Sequence, residues 1–315
     1  MNRTNGRLRL TVGSLMHVGA TRRINQDWLG HYVPPDPATL AAKGSLFVVA
    51  DGMGGRQAGD VASHLAVRAL LQAYYRDPSY DVAQSLARAV HQTNAQLFRY
   101  GAYYPAYRGM ATTLVAAAVR GRELAVAHVG DSRAYLARRG GVWPLTRDHS
   151  WVAQMVASGV LTPAEAARHP YRRVILRSLG PHRSVQVDVR RFSLAAGDAL
   201  ILCSDGLSDL VADREIGWAA LAWQPQQAAQ AMVAWAYQRG GPDDISAMVV
   251  RAEHTPARTA QGQAQTYRPG LRGQPPRRGA MPGPRHEPRP LLPLAATVGA
   301  VVAAIVLTMY CAPYL

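Results

Sequence analysis

The chain has 315 residues, of which 48% are apolar and 17% charged, and this composition favours one large globular domain with an appended segment. Its two cysteines, Cys203 and Cys311, lie far apart, so we expect no disulfide and interpret Cys203 as a buried strand residue. The formal net charge is +15, but the sequence has no helix-turn-helix pattern, zinc-finger spacing or basic strand with interleaved aromatic residues. We therefore expect no nucleic-acid partner, and a basic surface of this kind suits phosphorylated substrates.

The N-terminal third predicts strands and two long helices. Residues 1–12 contain arginines but no apolar core of a signal peptide, so we expect no secretory signal. Short β-branched and aromatic runs predict strands at 8–12, 28–32 and 46–49. Apolar residues at helical spacing predict amphipathic helices at 59–75 and 81–100, whose apolar sides would pack on a sheet.

The middle of the chain predicts antiparallel hairpins. Two pairs of apolar strands are each separated by a short turn that contains glycine: 114–119 with 123–129, and 133–138 with 142–145. Tight hairpins join antiparallel strands, which excludes a purely parallel doubly wound sheet. The predicted fold class is α+β.

The last part of the globular region predicts helices around two further strands. Thr162-Pro163-Ala164-Glu165 has the residues of a helix N-terminus with a capping box. Strands are predicted at 199–203 and 245–251, and helices at 213–221 and 225–239. Asp148-His149-Ser150 lacks the Gly-x-Ser-x-Gly turn of a catalytic serine, so we interpret His149 as a structural or surface residue.

Acidic residues stand where the apolar strands stop or start. Asp51, Asp131 and Asp205 each follow such a run, and Asp243 precedes the last strand. Carboxylates that converge at one end of a sandwich repel one another and stay ionised only if cations hold them. Ligation by oxygen alone favours Mg²⁺ or Mn²⁺, and no cluster of His or Cys suggests zinc.

The C-terminal region predicts a linker and a membrane span. Residues 254–290 are dominated by Gln, Pro, Gly and Arg, a composition that cannot bury enough apolar surface to order itself. Residues 291–310 form an uncharged apolar stretch long enough to cross a bilayer. Arginines on its N-terminal side would keep residues 1–253 in the cytoplasm, so we expect a single-pass protein of the inner membrane.

With these motifs in order, residues 13–250 resemble the protein phosphatase 2C family of metal-dependent serine/threonine phosphatases, in its bacterial form. Each motif alone is weak, whereas their common order is specific. They are Arg22-x-x-Asn25-x-Asp27, Asp51-Gly52-Met53-Gly54-Gly55, Gly109-Met110-Ala111-Thr112-Thr113, Val129-Gly130-Asp131-Ser132-Arg133, Ser204-Asp205-Gly206-Leu207 and Gly241-Pro242-Asp243-Asp244.

The resemblance implies a four-layer sandwich, in which two antiparallel β-sheets are flanked by α-helices, with a dinuclear metal centre at one end. Asp51 would bridge both ions, and the carbonyl of Gly52 would bind one of them. Asp205 and Asp243 would bind the other ion, and Asp131 would help to bind the third ion of bacterial members.

The resemblance also implies a mechanism. Arg22 would bind the substrate phosphate, since a guanidinium group matches phosphate oxygens, and Asp27 would hold metal-bound water. Hydroxide shared by the two ions would attack phosphorus directly, without a covalent phosphoenzyme. The sequence has neither the Cys-Arg spacing of tyrosine phosphatases nor a Walker loop.

Three residues depart from the pattern of the family. Gln26 stands where a Glu is usual, and Asp244 replaces an Asn, so that one carboxylate is lost and another gained near the ions. Met53 takes the place of a His that is the candidate general acid of eukaryotic relatives. Neither Gln26 nor Asp244 replaces a direct ligand, and we expect them to tune metal affinity.

The sequence thus predicts a monomeric phosphatase for phosphoserine and phosphothreonine in proteins, tethered to the membrane and opposing a bacterial Ser/Thr kinase. The main alternative is a pseudophosphatase that binds phosphoproteins without turnover, and retention of the carboxylates weighs against it. Nucleic-acid binding by the arginine-rich linker is a third alternative, which the salt dependence of binding would test.

Overall fold

The computed structural model describes residues 8–54 and 58–254. These residues belong to one compact unit. Within them, no helix combines the length and the apolar character needed to cross a bilayer. The predicted membrane span at 291–310 and nearly all of the predicted linker lie outside the described residues, so both remain predictions.

The described chain alternates strands and helices in the following order. The strands are β1 Leu8–His17, β2 Asp27–Tyr32, β3 Ser45–Met53, β4 Ala111–Thr112, β5 Leu114–Arg120, β6 Glu123–Val129, β7 Arg133–Arg138, β8 Gly141–Pro144, β9 Asp188–Ser193, β10 Ala199–Cys203 and β11 Ile245–His254. The helices are α1 Pro37–Lys43, α2 Ala58–Arg76, α3 Val82–Tyr103, α4 Trp151–Ala157, α5 Pro163–Arg168, α6 Asp205–Ser208, α7 Asp213–Ala222 and α8 Pro225–Gln238, with a 3₁₀ turn at Pro105–Tyr107.

The strands form two antiparallel sheets. The first has the order β1-β11-β10-β7-β8, and the second has the order β2-β3-β5-β6-β9 with β4 paired to β3. Both predicted hairpins are present, as β5–β6 and β7–β8. The α+β class and the antiparallel pairing are confirmed.

Three apolar cores separate four layers. Alternate residues of β3 point to opposite faces, so Phe47 and Val49 enter the core between the sheets while Leu46 and Val48 pack against α2 and α3. The remaining core lies between the first sheet and the pair α7–α8. It contains Cys203, which is fully buried as expected. The predicted four-layer sandwich is therefore confirmed.

Several elements are longer than predicted or absent from the prediction. β1 continues to His17, because its last residues complete a ten-residue pairing with β11. Helices α1 and α4 begin at side-chain caps, Asp36 and Ser150, that accept hydrogen bonds from backbone N–H groups three residues on. β9 has few apolar residues because it is an edge strand, so it lacks the expected alternation. The predicted capping box of α5 is present.

Candidate metal centre

The acidic residues meet where the two sheets end together. Asp27 opens β2 and lies opposite Asp51 in the register with β3. The hydroxyl of Ser204, just after β10, donates to Oδ2 of Asp27 at 2.7 Å. This bond links the second sheet to the first, and the motifs of both sheets converge on one pole of the sandwich.

The double threonine of the third motif fixes the backbone of Asp51. The amide of Asp51 donates to Oγ1 of Thr113 at 3.0 Å, and its carbonyl accepts from the amide of Thr113 and the hydroxyl of Thr112, each at 2.8 Å. Oγ1 of Thr113 also lies 2.7 Å from Oγ of Ser132. The motif therefore ties β3 to the turn between β6 and β7, which carries Asp131.

Small residues let the site segments approach one another. The amide of Gly52 donates to the carbonyl of Gln26 at 3.0 Å, and a Cβ on Gly52 would overlap the carbonyl of Gly59 in α2. A Cβ on Gly206 would likewise overlap the carbonyl of Asp244. These glycines are needed for close backbone contact.

Burial leaves the carboxylates short of partners. Oδ1 of Asp27, of Asp131 and of Asp205 is buried without a hydrogen bond from any described residue. Burial raises the pKa of Asp131 to about 8 and that of Asp205 to about 6, and each acquires a further upward contribution from a neighbouring carboxylate. For Asp51, burial first and then the charges of the surrounding aspartates raise the pKa well above its usual value. An all-oxygen donor set under such repulsion fits hard divalent cations.

Asp243 and Arg22 form an ion pair at the edge of this site. Nη2 of Arg22 lies 2.6 Å from Oδ1 of Asp243, and the Arg22 side chain is 40% exposed. The same oxygen accepts from the amide of Asp244 at 2.9 Å. The structure thus brings the predicted phosphate-binding arginine into direct contact with a predicted metal ligand.

Two departures from the family pattern have structural partners. Asp244 is buried, and its two oxygens accept from the amides of Gly19 at 3.1 Å and Gln26 at 2.8 Å. Nε2 of Gln26 donates to the carbonyl of Gly54 at 3.3 Å. Asp244 therefore fixes the loop that carries Arg22, and its carboxylate is already engaged.

A cavity of about 730 Å³ opens above the carboxylates. Asp131, Asp205 and Asp243 line it, and α4, α5 and the exposed Arg172 and Arg173 form part of its wall. Sequence reasoning did not identify these two arginines, because a pair of basic residues in a connecting segment gives no signal of what it faces.

A second buried cluster, of His128, His149 and Asp188, brings potential ligand atoms within 4.8 Å of one another. It does not fit a cation, however. Nη1 of Arg177 lies 3.1 Å from Oδ1 of Asp188 and 3.3 Å from Nε2 of His149, so a positive charge is already present. The two imidazole rings also stack at 4.5 Å with 21° between their planes, and their in-plane lone pairs do not converge.

Comparison with known proteins gives consistent matches. A family model described as protein phosphatase 2C matches residues 21–239. The chain is 38% identical over 211 residues to the serine/threonine protein phosphatase PstP of Mycobacterium tuberculosis, covering 67% of this chain and 41% of PstP. It is 35% identical over 245 residues to the protein phosphatase PhpP of Streptococcus pneumoniae, covering 76% of this chain and 97% of PhpP. The match thus spans less than half of PstP but nearly all of PhpP.

Solved structures agree with this assignment. The crystal structure of M. tuberculosis PstP matches with a TM-score of 0.70 at 35% identity, covering 78% of this chain and 99% of that chain. The catalytic domain of PstP in complex with two manganese ions matches with a TM-score of 0.68 at 33% identity, with the same coverage. The predicted Mn²⁺ or Mg²⁺ cofactor agrees with the ions in that relative.

The four-layer sandwich, with its buried aspartates clustered at one end (the acidic pole), is the arrangement expected of the metal-dependent phosphatases. The chain belongs to the protein phosphatase 2C family. The resemblance inferred from the motifs is confirmed, and the predicted enzyme class agrees with the serine/threonine phosphatases among the relatives.

Proposed function

We propose that this protein hydrolyses phosphoserine and phosphothreonine esters in proteins with two Mn²⁺ or Mg²⁺ ions, joined by a third at Asp131. The observation that carries the proposal is the convergence of buried carboxylates with unpartnered oxygens, on Asp27, Asp131 and Asp205, at an open cavity that Asp131 and Asp205 line. Its relatives with this fold are bacterial serine/threonine phosphatases. The substrate class follows from theirs.

Five positions would hold the cations: Asp51 and the carbonyl of Gly52, with Asp131, Asp205 and Asp243. Bound cations would supply the Lewis acidity that lowers the pKa of a water molecule and neutralises charge on the phosphate. The donor set contains only oxygen, which suits Mg²⁺ and Mn²⁺ alike.

Asp27 and Arg22 would act on water and substrate. Oδ2 of Asp27 is occupied by the Ser204 hydroxyl, which leaves Oδ1 to accept a hydrogen bond from water in the site. Arg22 is half-exposed at the cavity edge, where its planar guanidinium can contact two phosphate oxygens. Arg22→Ala should therefore raise KM more than it lowers kcat, and an unchanged KM would remove Arg22 from the phosphate site.

The described residues argue against a cysteine nucleophile. Cys203 is fully buried, and burial raises the pKa of its thiol to about 12. A thiol of this kind is inert at neutral pH, because the thiolate is the nucleophile. Direct attack by water on phosphorus remains the reaction that the site supports.

The principal test is release of phosphate from a panel of phosphothreonine and phosphoserine peptides by the full chain. Release should require added Mn²⁺ or Mg²⁺ and stop in excess chelator. Asp205→Asn should abolish it, whereas the matched buried-site control Cys203→Ala should leave it nearly unchanged. Full turnover in excess chelator, or a trapped covalent phosphoenzyme, would contradict the proposal. A chain that binds phosphopeptides and Mn²⁺ without turnover would instead be the pseudophosphatase, which the relatives do not favour.

We further propose that residues 291–310 anchor the protein in the inner membrane as a single span, with the catalytic domain cytoplasmic and monomeric. Support comes from the sequence alone: the uncharged apolar stretch and the arginines before it. A tether through residues 254–290 would concentrate the enzyme near a membrane-bound Ser/Thr kinase and its substrates. The full chain should resist carbonate extraction, and a chain ending at Glu253 should be soluble with unchanged turnover on peptides. Loss of turnover in the shorter chain, or release of the full chain by salt, would overturn the anchor.

A further inference from the structure

His149 is buried next to the acidic pole and has no part in the chemistry proposed above. Two hydrogen bonds join His149 to Gly130, the residue before Asp131 in the sequence. The amide of His149 donates to the carbonyl of Gly130 at 2.9 Å, and Nδ1 of His149 accepts from the amide of Gly130 at 3.1 Å. Both polar groups of Gly130 are thereby bound to one residue.

The position of Gly130 is restricted on its other side as well. Its φ is +106°, and a Cβ there would lie 2.7 Å from the side chain of Thr113. Oγ1 of Thr113 is the acceptor for the amide of Asp51. Gly130 is therefore in close contact both with Thr113, which fixes Asp51, and with the ring of His149.

The ring of His149 is itself held in one orientation. Because Nδ1 accepts the amide of Gly130, the proton of the neutral ring is on Nε2, which faces Oδ2 of Asp188 at 3.4 Å. The 3.3 Å contact between Nη1 of Arg177 and Nε2 is then not a hydrogen bond. Arg177 donates to the other oxygen of Asp188 at 3.1 Å, and the ring of His128 stacks on the ring of His149. Burial lowers the pKa of His149 to about 4, so the ring keeps its Nδ1 lone pair at neutral pH.

We propose that His149 is a positioning residue for the Asp131 cation site: its Nδ1 holds the Gly130 amide and so places the Asp131 carboxylate where it can share a cation with Asp205. Asp131 and Asp205 both line the cavity above the site. The proposal rests on the cation site of the proposed function. Residues that orient a metal ligand typically change metal affinity by about 10–100-fold when they are lost.

The backbone of His149 also makes a structural contact, and the test must separate that contact from the proposed role of the His149 side chain. Its carbonyl accepts from the amide of Leu176 at 2.7 Å, which closes the segment that contains α4 and α5. Backbone bonds persist in any side-chain variant. The test therefore compares side chains that differ only in where they place a polar atom.

His149→Asn and His149→Gln form such a pair. Asn places its carbonyl oxygen near the position of Nδ1 and can accept from Gly130, whereas Gln places its polar atoms near Nε2 and can reach only toward Asp188. Free Mn²⁺, measured by electron paramagnetic resonance during titration of the full chain, gives the affinity without any turnover. The weakest Mn²⁺ site should lose roughly tenfold or more in affinity in His149→Gln and stay within about threefold of wild type in His149→Asn.

His128→Phe is the matched control, because it keeps the stacked ring and removes only a hydrogen bond of the His128 ring to the carbonyl of Arg147. It should bind Mn²⁺ as wild type does. Asp131→Ala combined with His149→Gln should bind no worse than Asp131→Ala alone, since both changes act on one site. Melting temperatures in excess chelator show which variants are folded, and affinities are compared among those.

Equal affinities in the Asn and Gln variants, or additive losses in the double variant, would overturn the positioning role. A failure of the proposed function would give a different result. A wild-type chain that binds Mn²⁺ but releases no phosphate would contradict catalysis, and the comparison of His149→Asn with His149→Gln would still decide the role of His149.

Discussion

In the absence of divalent cations, we expect the free energy of unfolding of this protein to fall as the pH rises. The pKa of Asp27 is raised to about 7 and that of Asp131 to about 8, in both cases chiefly by burial. An unfolded Asp titrates near 3.8, so over the interval between these values the folded state binds more protons than the unfolded state. Each carboxyl group therefore stabilises the folded state fully at a pH below its pKa in the unfolded state. This stabilisation is lost as the pH rises through its pKa in the folded state.

The magnitude follows from linkage. Between pH 6 and pH 8, the free energy of unfolding falls by roughly 1 kcal/mol through Asp27 and roughly 2 kcal/mol through Asp131. The pKa of His149 is lowered to about 4 and that of His128 is lowered too, chiefly by burial, so these groups act in the opposite direction. Each of them offsets less than about 1 kcal/mol over the same interval. The raised pKa values of Asp51 and Asp205 add to the loss, so the net fall is at least roughly 2 kcal/mol, which corresponds to a fall in Tm of at least about 4–8 °C for a domain of this size.

Calorimetry of the full chain in excess chelator at pH 6 and pH 8 measures this fall. Asp27→Asn removes one of the titrating groups and should reduce the difference between the two melting temperatures. Added Mn²⁺ should raise Tm more at pH 8 than at pH 6, because cations compete with protons for the same oxygens. A Tm in chelator that is constant or rises with pH would refute the reasoning.

Three further outcomes are expected. Asp51→Asn should abolish Mn²⁺-dependent phosphate release, whereas Asp27→Asn should lower it by about 10–100-fold, and equal small effects would mean that the site is assigned wrongly. Replacement of both Arg172 and Arg173 by Glu should raise KM for acidic phosphopeptides and leave KM for p-nitrophenyl phosphate unchanged, because these cavity-wall residues form no salt bridge with any described residue. An equal effect on both KM values would contradict this. Gly130→Ala should lower the free energy of unfolding by roughly 1–3 kcal/mol in urea titrations, because φ is +106° there, and unchanged stability would show that the turn relaxes.

The strands, the hairpins and the α+β class could be predicted because their signals are local. The continuous apolar run Leu46–Val49 predicts a buried strand, and in the structure its residues enter two different cores alternately. The four-layer arrangement came from the family resemblance. The positions of the acidic residues could also be predicted, since they stand directly at strand ends. Their chemistry required the family pattern, because a strand end followed by Asp-Gly is common in ordinary turns.

The supporting contacts could not be predicted, since they join distant parts of the chain. Asp244 holds the amides of Gly19 and Gln26 from more than two hundred residues away in sequence. The contact between His149 and Gly130 likewise depends on how the segment after β8 returns to the β6–β7 turn. Side-chain spacing carries no signal for such backbone partners, so the sequence left His149 as a structural or surface residue.

Both ends of the described domain lie at the pole away from the cavity. β1 and β11 pair along ten residues, with Leu8 opposite His254 at one end and His17 opposite Ile245, next to the acidic site, at the other. At a rise of about 3.3 Å per residue, the two poles are about 30 Å apart. A tether that joins the domain at either end of this pair therefore attaches about 30 Å from the acidic residues, and a large folded phosphoprotein can approach the cavity without meeting the point of attachment.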